Sequence, residues 1–202
     1  MKCTVVLSGI ALLISSTAFA QQPATTTPPP VTGQTIEQRK DNQQKRIGEG
    51  LENGSMTAGE AAKVEKQEKG LNKEERDMRE DNGGKLTAAD KAKLTNQQNK
   101  LSNEIYKDKH NSVNQPPVTN QVNARDRNQQ KRIGEGLENG SLTAGEAANL
   151  EHKEAKINKE ERTDRTANGG TLTPAEKAKI NRQQNKMSKQ IYNKKHNARK
   201  QN

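Results

Sequence analysis

The sequence predicts an all-α protein built from two tandem three-helix units. Apolar residues recur at steps of three, four and seven, the spacing of one helical face, and no segment alternates in the two-residue rhythm of a strand. In addition, residues 42–111 align without gaps on residues 128–197, with 47 of 70 positions identical, so the chain carries two copies of one unit. Three helices per copy follow, expected over 35–53, 58–81 and 88–110 and over 121–139, 144–167 and 174–196.

The first helix of the pattern carries Gly48 and Gly50, which weaken it and mark it as the most mobile element. The second carries a stripe of Ala61, Val64, Leu71 and Met78, and the third a stripe of Leu94, Leu101 and Ile105, interrupted by Gln98 and in the other copy by Gln184. Each copy offers about ten large apolar side chains, worth roughly 1.5–3 kcal/mol apiece when buried. Ordering seventy residues costs on the order of 100 kcal/mol, so each core is expected to be thin. The units read as small bundles or helical hairpins of modest stability, completed by pairing of copies or of chains.

Flanking segments divide the chain further. Residues 1–20 contain Lys2, the apolar run TVVLSGIALLISS and Ala18-Phe19-Ala20, the pattern of a cleavable export signal, which places the mature start near Gln21 and the product in the periplasm or outside the cell. Cys3, the sole cysteine, leaves with that signal, so no disulfide is expected. Residues 21–33 are Pro- and Thr-rich and read as a disordered leader; 34–111 form the first repeat, 112–125 a Pro-containing linker, 126–197 the second repeat and 198–202 a basic tail. After the signal no apolar run approaches the roughly 20 residues of a membrane helix.

Setting Lys2 aside leaves 34 basic against 25 acidic side chains, a net of +9. Such a balance favours anionic partners, among them lipopolysaccharide, acidic glycans and acidic protein clients. Nucleic acid is disfavoured, because Tyr106 and Tyr192 are the only aromatic residues past the signal and base stacking needs aromatic platforms.

The string Gly-x-(Leu or Met)-Thr-x-x-(Glu or Asp) occurs four times, ending at Glu60, Asp90, Glu146 and Glu176. It matches the back half of an EF-hand loop, with glycine sixth and acid twelfth. The front half fails: positions one, three and five would be Glu49, Leu51 and Asn53; Arg79, Asp81 and Gly83; Glu135, Leu137 and Asn139; and Arg165, Ala167 and Gly169. A weak cation site would therefore be confined to Glu49, Asn53 and Glu60 and to Glu135, Asn139 and Glu146. The favoured reading is helix punctuation, with Thr57, Thr87, Thr143 and Thr173 as N-caps and Glu60, Asp90, Glu146 and Glu176 reaching back to the cap amides. Pro174 at a first helical position agrees with it.

Acidic residues also fall on the apolar stripe of the middle helices: Glu68 and Glu75 in the first copy, Glu154 and Glu161 in the second. They read as the wet edge of a narrow stripe or, more sharply, as a docking surface for basic targets. If that face packs inward they need partners such as Arg46 or Lys100. His110 and His196 stand at helix ends, no serine sits in a nucleophile elbow, and no His, Cys or Asp spacing suits a metal, so neither catalysis nor a cofactor is expected.

With NQQKRIGEGLENG duplicated, and with NGGKLTAADK and QQNKLSNEIYKDKHN, the chain resembles a family of small exported helical repeat proteins of Gram-negative bacteria, a likeness that implies compartment and fold and carries no activity. Leu86-Thr87-Ala88-Ala89-Asp90, Leu142-Thr143-Ala144-Gly145-Glu146 and Leu172-Thr173-Pro174-Ala175-Glu176 are similar to the Leu-Thr-x-x-Gln strings of periplasmic chaperones of the Spy and CpxP type, with acid in place of glutamine. The expected function is that of a non-catalytic exported binding or structural protein engaging an anionic envelope component or client. The alternatives are a Spy-like holdase and a weak EF-hand-like calcium binder.

Overall fold

The computed structural model describes residues 33–200, which form six α-helices and no strand. The segment expected to be an export signal, residues 1–20, and nearly all of the expected leader lie outside the described residues. The helices are α1 (Ile36–Asn53), α2 (Ala58–Asp81), α3 (Ala88–Lys109), α4 (Gln121–Glu138), α5 (Ala144–Ala167) and α6 (Pro174–Lys195), each within a residue or so of its expected bounds. None is long and apolar enough to cross a membrane.

Local chemistry sets these boundaries. The chain leaves α1 through Gly54 at φ 80°, and Gly83, Gly140 and Gly169 turn with φ of 63°, 69° and 64°, a region that favours glycine. Helix α1 also opens with a capping box, Thr35 with Gln38, because Gln38 at the third position reaches the cap amide as the acids do elsewhere. Asn120 caps α4 by accepting from the Asn123 amide at 3.0 Å.

The helices of the two copies interleave. The most extensive pairings are α1 with α4 and α2 with α5, each joining equivalent helices of different copies. One continuous core results, in which Ile47, Leu51, Val64 and Ile105 of the first copy meet Ile133, Leu137, Leu150 and Ile191 of the second. The narrow stripe of each copy thus gains a second wall.

Gly48 and Gly134 make the α1–α4 crossing close. A Cβ added at Gly134 would lie 2.7 Å from the Gly48 carbonyl oxygen, and one added at Gly48 would lie 2.8 Å from the Gly134 carbonyl oxygen. Glu138 lies against Gly48 as Glu52 lies against Gly134. Such reciprocal contacts make the interface isologous: the two copies pack about a local two-fold axis as identical subunits of a dimer would. These glycines permit a close backbone contact between the copies, and Gly48 and Gly50 are buried, so the intrinsic weakness read from them is offset by packing.

Within each copy, glutamines staple the third helix to the first. Gln43 donates to the Gln98 carbonyl at 2.7 Å and to Ser102 Oγ at 2.8 Å, while Gln98 donates to the Ile36 carbonyl at 2.9 Å. Gln129 and Gln184 repeat the arrangement with Ser188 and Val122. Gln98 and Gln184, which interrupt the apolar stripe, are therefore buried with an amide proton bonded, while their Oε1 atoms are buried without a hydrogen-bond partner.

The connection between copies is anchored as well. Gln115 is buried; its backbone amide donates to the Gly54 carbonyl at 3.0 Å and its side chain to the carbonyls of Leu51 and Met56 at 3.0 and 2.8 Å. It satisfies carbonyls that the end of α1 leaves open, so the segment read as a tether is fastened to the first copy. Residues 121–125 of that segment already belong to α4.

Gly134→Ala is expected to cost about 1–3 kcal/mol through overpacking against backbone. Gly70→Ala, mid-helix with nothing within 4 Å of the added carbon, should instead gain up to about 1 kcal/mol. Denaturant unfolding of the two variants measures both signs.

Candidate functional site

The four threonine–acid pairs adopt capping geometry. Thr57, Thr87, Thr143 and Thr173 each accept from the amide three residues on, and Glu60, Asp90, Glu146 and Glu176 accept from the threonine amides at 2.8, 2.9, 3.3 and 2.8 Å. The Thr87 hydroxyl and then its backbone amide hold the Asp90 carboxyl below its ordinary value; the Thr173 backbone amide and then its hydroxyl do so for Glu176. The other oxygens of the two loops are engaged elsewhere. Glu49 pairs with Lys109 at 3.2 Å and Glu135 with Lys195 at 3.3 Å. Asn53 and Asn139 accept from the amides of Ser55 and Ser141 at 2.9 and 3.0 Å. Among the described residues no three His, Cys, Asp or Glu side chains are placed to hold a metal ion. His110 and His196 lie with Nδ1 2.7 Å from the carbonyls of Tyr106 and Tyr192, each ring stacked on its tyrosine.

The stripe acids are neither a wet edge nor a docking face: they line a buried seam where α2 packs on α5. Glu65, Glu68, Glu151 and Glu154 are at most 1% exposed, and Glu75 and Glu161 are 8% and 7% exposed. Their charge partners also differ from those the sequence suggested. Arg46 donates to the Ser102 carbonyl and Lys100 is exposed, whereas Arg79 and Arg165, one turn along the same helices, clamp Glu75 and Glu161 at 2.7 and 2.9 Å. The i, i+4 relation places each guanidinium beside its carboxylate at the seam's end.

The centre of the seam lacks such clamps. Lys40, itself buried, lies 3.9 Å from Glu75 and lowers the cost of a charge on Glu68. In the second copy its counterpart is Asp126, which adds a carboxyl where the first copy has an ammonium. Burial pushes Glu68 up to about 8, with Lys40 opposing and Glu75 reinforcing. Burial and then the neighbouring Glu68 raise Glu65, against the Gln44 amide that donates to it at 3.2 Å. Burial and then Glu154 raise Glu151, opposed by Gln130 and reinforced by Asp126 and Glu65; burial and then Asp126 raise Glu154. Asp126 rises to about 6 through burial, with Asn158 opposing and Glu161 reinforcing. Desolvation dominates throughout, so these carboxyls favour their neutral, protonated form.

The second feature lies on the outside of the same helix pair. A trough of about 540 Å³ runs between α2 and the start of α5 and is also lined by Lys194 of α6 and Arg199 of the tail. Lys66, Lys69, Lys73 and Arg76 line it at steps of three, four and three along α2, and Lys194 and Arg199 face them. Lys73 pairs with Asp77 at 2.6 Å and Lys194 with Glu146 at 3.4 Å; Lys66, Lys69 and Arg76 have no ion-pair partner among the described residues. Ala144 and Gly145 at the start of α5 keep the opposite wall low, and the Lys69 stem lies over Gly145. The basic run on α2 is visible in sequence, but the wall that makes it a trough comes from the other copy.

Comparison with protein-family models, with curated proteins and with solved structures returned no match.

Because the seam carboxyls bind protons more tightly in the folded chain than in the unfolded one, stability should be greatest in mild acid. It should fall as pH rises above the ordinary carboxyl value of 4.5, through about 6 for Asp126 and on through about 8 for Glu68. The thermal midpoint is therefore expected to be higher near about pH 5.5 than near about pH 9. Glu154→Gln, which keeps the shape and removes the ionisation, should flatten that slope and stabilise the protein at the alkaline end. An equal slope in wild type and variant would contradict the assignment.

Proposed function

We propose that the protein is a non-catalytic exported binding protein that engages an anionic component of the cell envelope through its basic surface. The observation that supports this reading is where the charge resides. Residues 33–200 hold 34 basic and 25 acidic side chains, and four of the acids, Glu65, Glu68, Glu151 and Glu154, lie in the seam where burial favours the neutral form. With those four neutral, the surface of the folded chain carries a net of about +13 at neutral pH rather than the +9 of a simple count. The acids that would otherwise screen the lysines are hidden at the interface between copies, so the fold concentrates positive charge outward.

Residues 1–20 would direct such a protein across the inner membrane, and the described helices offer a rigid scaffold with no constellation assigned to catalysis. Binding to a polyanion would be driven by close-range attraction and release of condensed counterions, both weakened by salt. Affinity for an anionic envelope extract immobilised on a sensor surface is expected to fall at least tenfold between about 50 and 200 mM salt, the behaviour of a ligand making several charge contacts. Binding that does not change with salt, or no binding at the lower concentration, would remove this reading.

A further inference from the structure

We infer that the trough between α2 and the start of α5 is a binding site for one linear acidic polysaccharide segment, and that each chain holds one such site in spite of its duplication. This inference rests on the polyanion reading above and gives it a location, a stoichiometry and a ligand class.

Location follows from unmatched charge. Lys66, Lys69 and Arg76 point into one concave surface without an acidic partner among the described residues, and Lys73, Lys194 and Arg199 flank them. From Lys66 to Arg76 the cations span ten residues of helix, about 15 Å at 1.5 Å per residue. Residues 1–32 and 201–202 contain no Asp or Glu, so no acidic side chain of those segments is available to neutralise the trough. The charge at the start of α5 does not explain the site, because Glu146 already occupies that helix end through its capping box and its pair with Lys194.

Stoichiometry follows from divergence between the copies. The two-fold packing generates an equivalent surface where α5 faces the start of α2, but its lining has changed. His152 stands for Lys66, Ala155 for Lys69, Asp108 for Lys194 and Val113 for Arg199. Lys156 is a gain there, and Lys63, which replaces Asn149, is held by Glu104 at 2.5 Å. Core pairs that differ, such as Val64 and Leu150 or Leu101 and Met187, stay apolar, whereas of the trough's six cations only Lys73 and Arg76 recur, as Lys159 and Arg162, so the duplicated scaffold carries one strongly cationic trough and one mixed surface.

Ligand class follows from what lies between the cations. Asn72 and Asn149 line the same trough and offer amide donors and acceptors suited to hydroxyl groups, and the lining has no aromatic ring for a nucleobase to stack on. Lysines outnumber arginines, and an ammonium is a compact point charge that accepts one anionic group from many directions rather than a fork matched to paired oxygens. A flexible chain bearing one carboxylate per sugar fits this lining. Neighbouring cations on one face, about 5 Å apart along the helix axis, match a ligand with regularly spaced charges.

The test uses the purified full-length protein and a defined polyuronate oligosaccharide, with inorganic polyphosphate and vesicles of anionic phospholipid as parallel probes. Calorimetry at low salt is expected to give one polyuronate site per chain. Lys66→Glu, Lys69→Glu and Arg76→Glu combined should weaken binding at least tenfold. Lys156→Glu, Lys159→Glu and Arg162→Glu, the same charge change on the equivalent surface, should weaken it less than threefold. Equal losses in the two triple variants would overturn the trough and leave only binding by general surface charge, as would two sites per chain. Tight binding of polyphosphate or vesicles without binding of polyuronate would overturn the ligand class while leaving the polyanion reading intact. If no polyanion binds at all, both fall together. Should the trough variant unfold by circular dichroism, acetylation of the wild-type lysines decides: bound polyuronate should protect Lys66 and Lys69 and leave Lys159 reactive, and equal reactivity would reject the site.

Discussion

The backbones of α1 and α4 cross so closely that hydrogen alone fits on the α-carbons of Gly48 and Gly134, and through this contact each copy receives the wall its own stripe lacks. Seventy residues with about ten large apolar side chains would form only a thin core as separate bundles. Placed face to face about a local two-fold axis, the same side chains enclose one core, and ends that would fray are tied down. Gln115 is part of that closure. By occupying the carbonyls at the end of α1 it turns the connection between copies into a brace.

Closing the core in this way forces the acids of α2 and α5 against one another. Some carry clamps at the seam's ends, Arg79 on Glu75 and Arg165 on Glu161, while burial makes those at the centre favour their protonated form. The consequence reaches the surface. A carboxyl that is neutral and buried does not offset an exposed lysine, so packing that begins at two glycines ends by making the exterior more basic than composition suggests. The seam also differs between copies at a point of contrast, Lys40 in one and Asp126 in the other, which gives a symmetric scaffold an asymmetric electrostatic interior.

Asymmetry recurs outside. Two copies with 47 of 70 identical positions keep an apolar core and the threonine–acid caps, yet the second replaces four of the six cations that line the trough on α2. Duplication by itself suggests two equivalent modules on a tether, each binding independently. The interleaved fold points to a different use of the second copy, as the structural wall against which the basic face of α2 becomes concave.

What was legible in the sequence was what depends on near neighbours. Helix boundaries followed from Thr-x-x-acid caps and glycine turns, because hydrogen bonds within one turn decide them; Thr57 with Glu60 and Thr173 with Glu176 sit as their spacing implies. The all-helical class followed from periodicity. The partners of Glu68 and Glu154 were not legible, nor was the role of Gly48, the fastening of Gln115 or the trough at Lys66, because each depends on a residue brought from the other copy or from a distant loop. Sequence alone determined the helices, their repeats and their charge, since these rest on contacts a few residues apart. Tertiary structure decided which face of each helix meets which, because two narrow apolar stripes can pack in several ways and the pairings of α1 with α4 and of α2 with α5 bring together residues far apart in sequence.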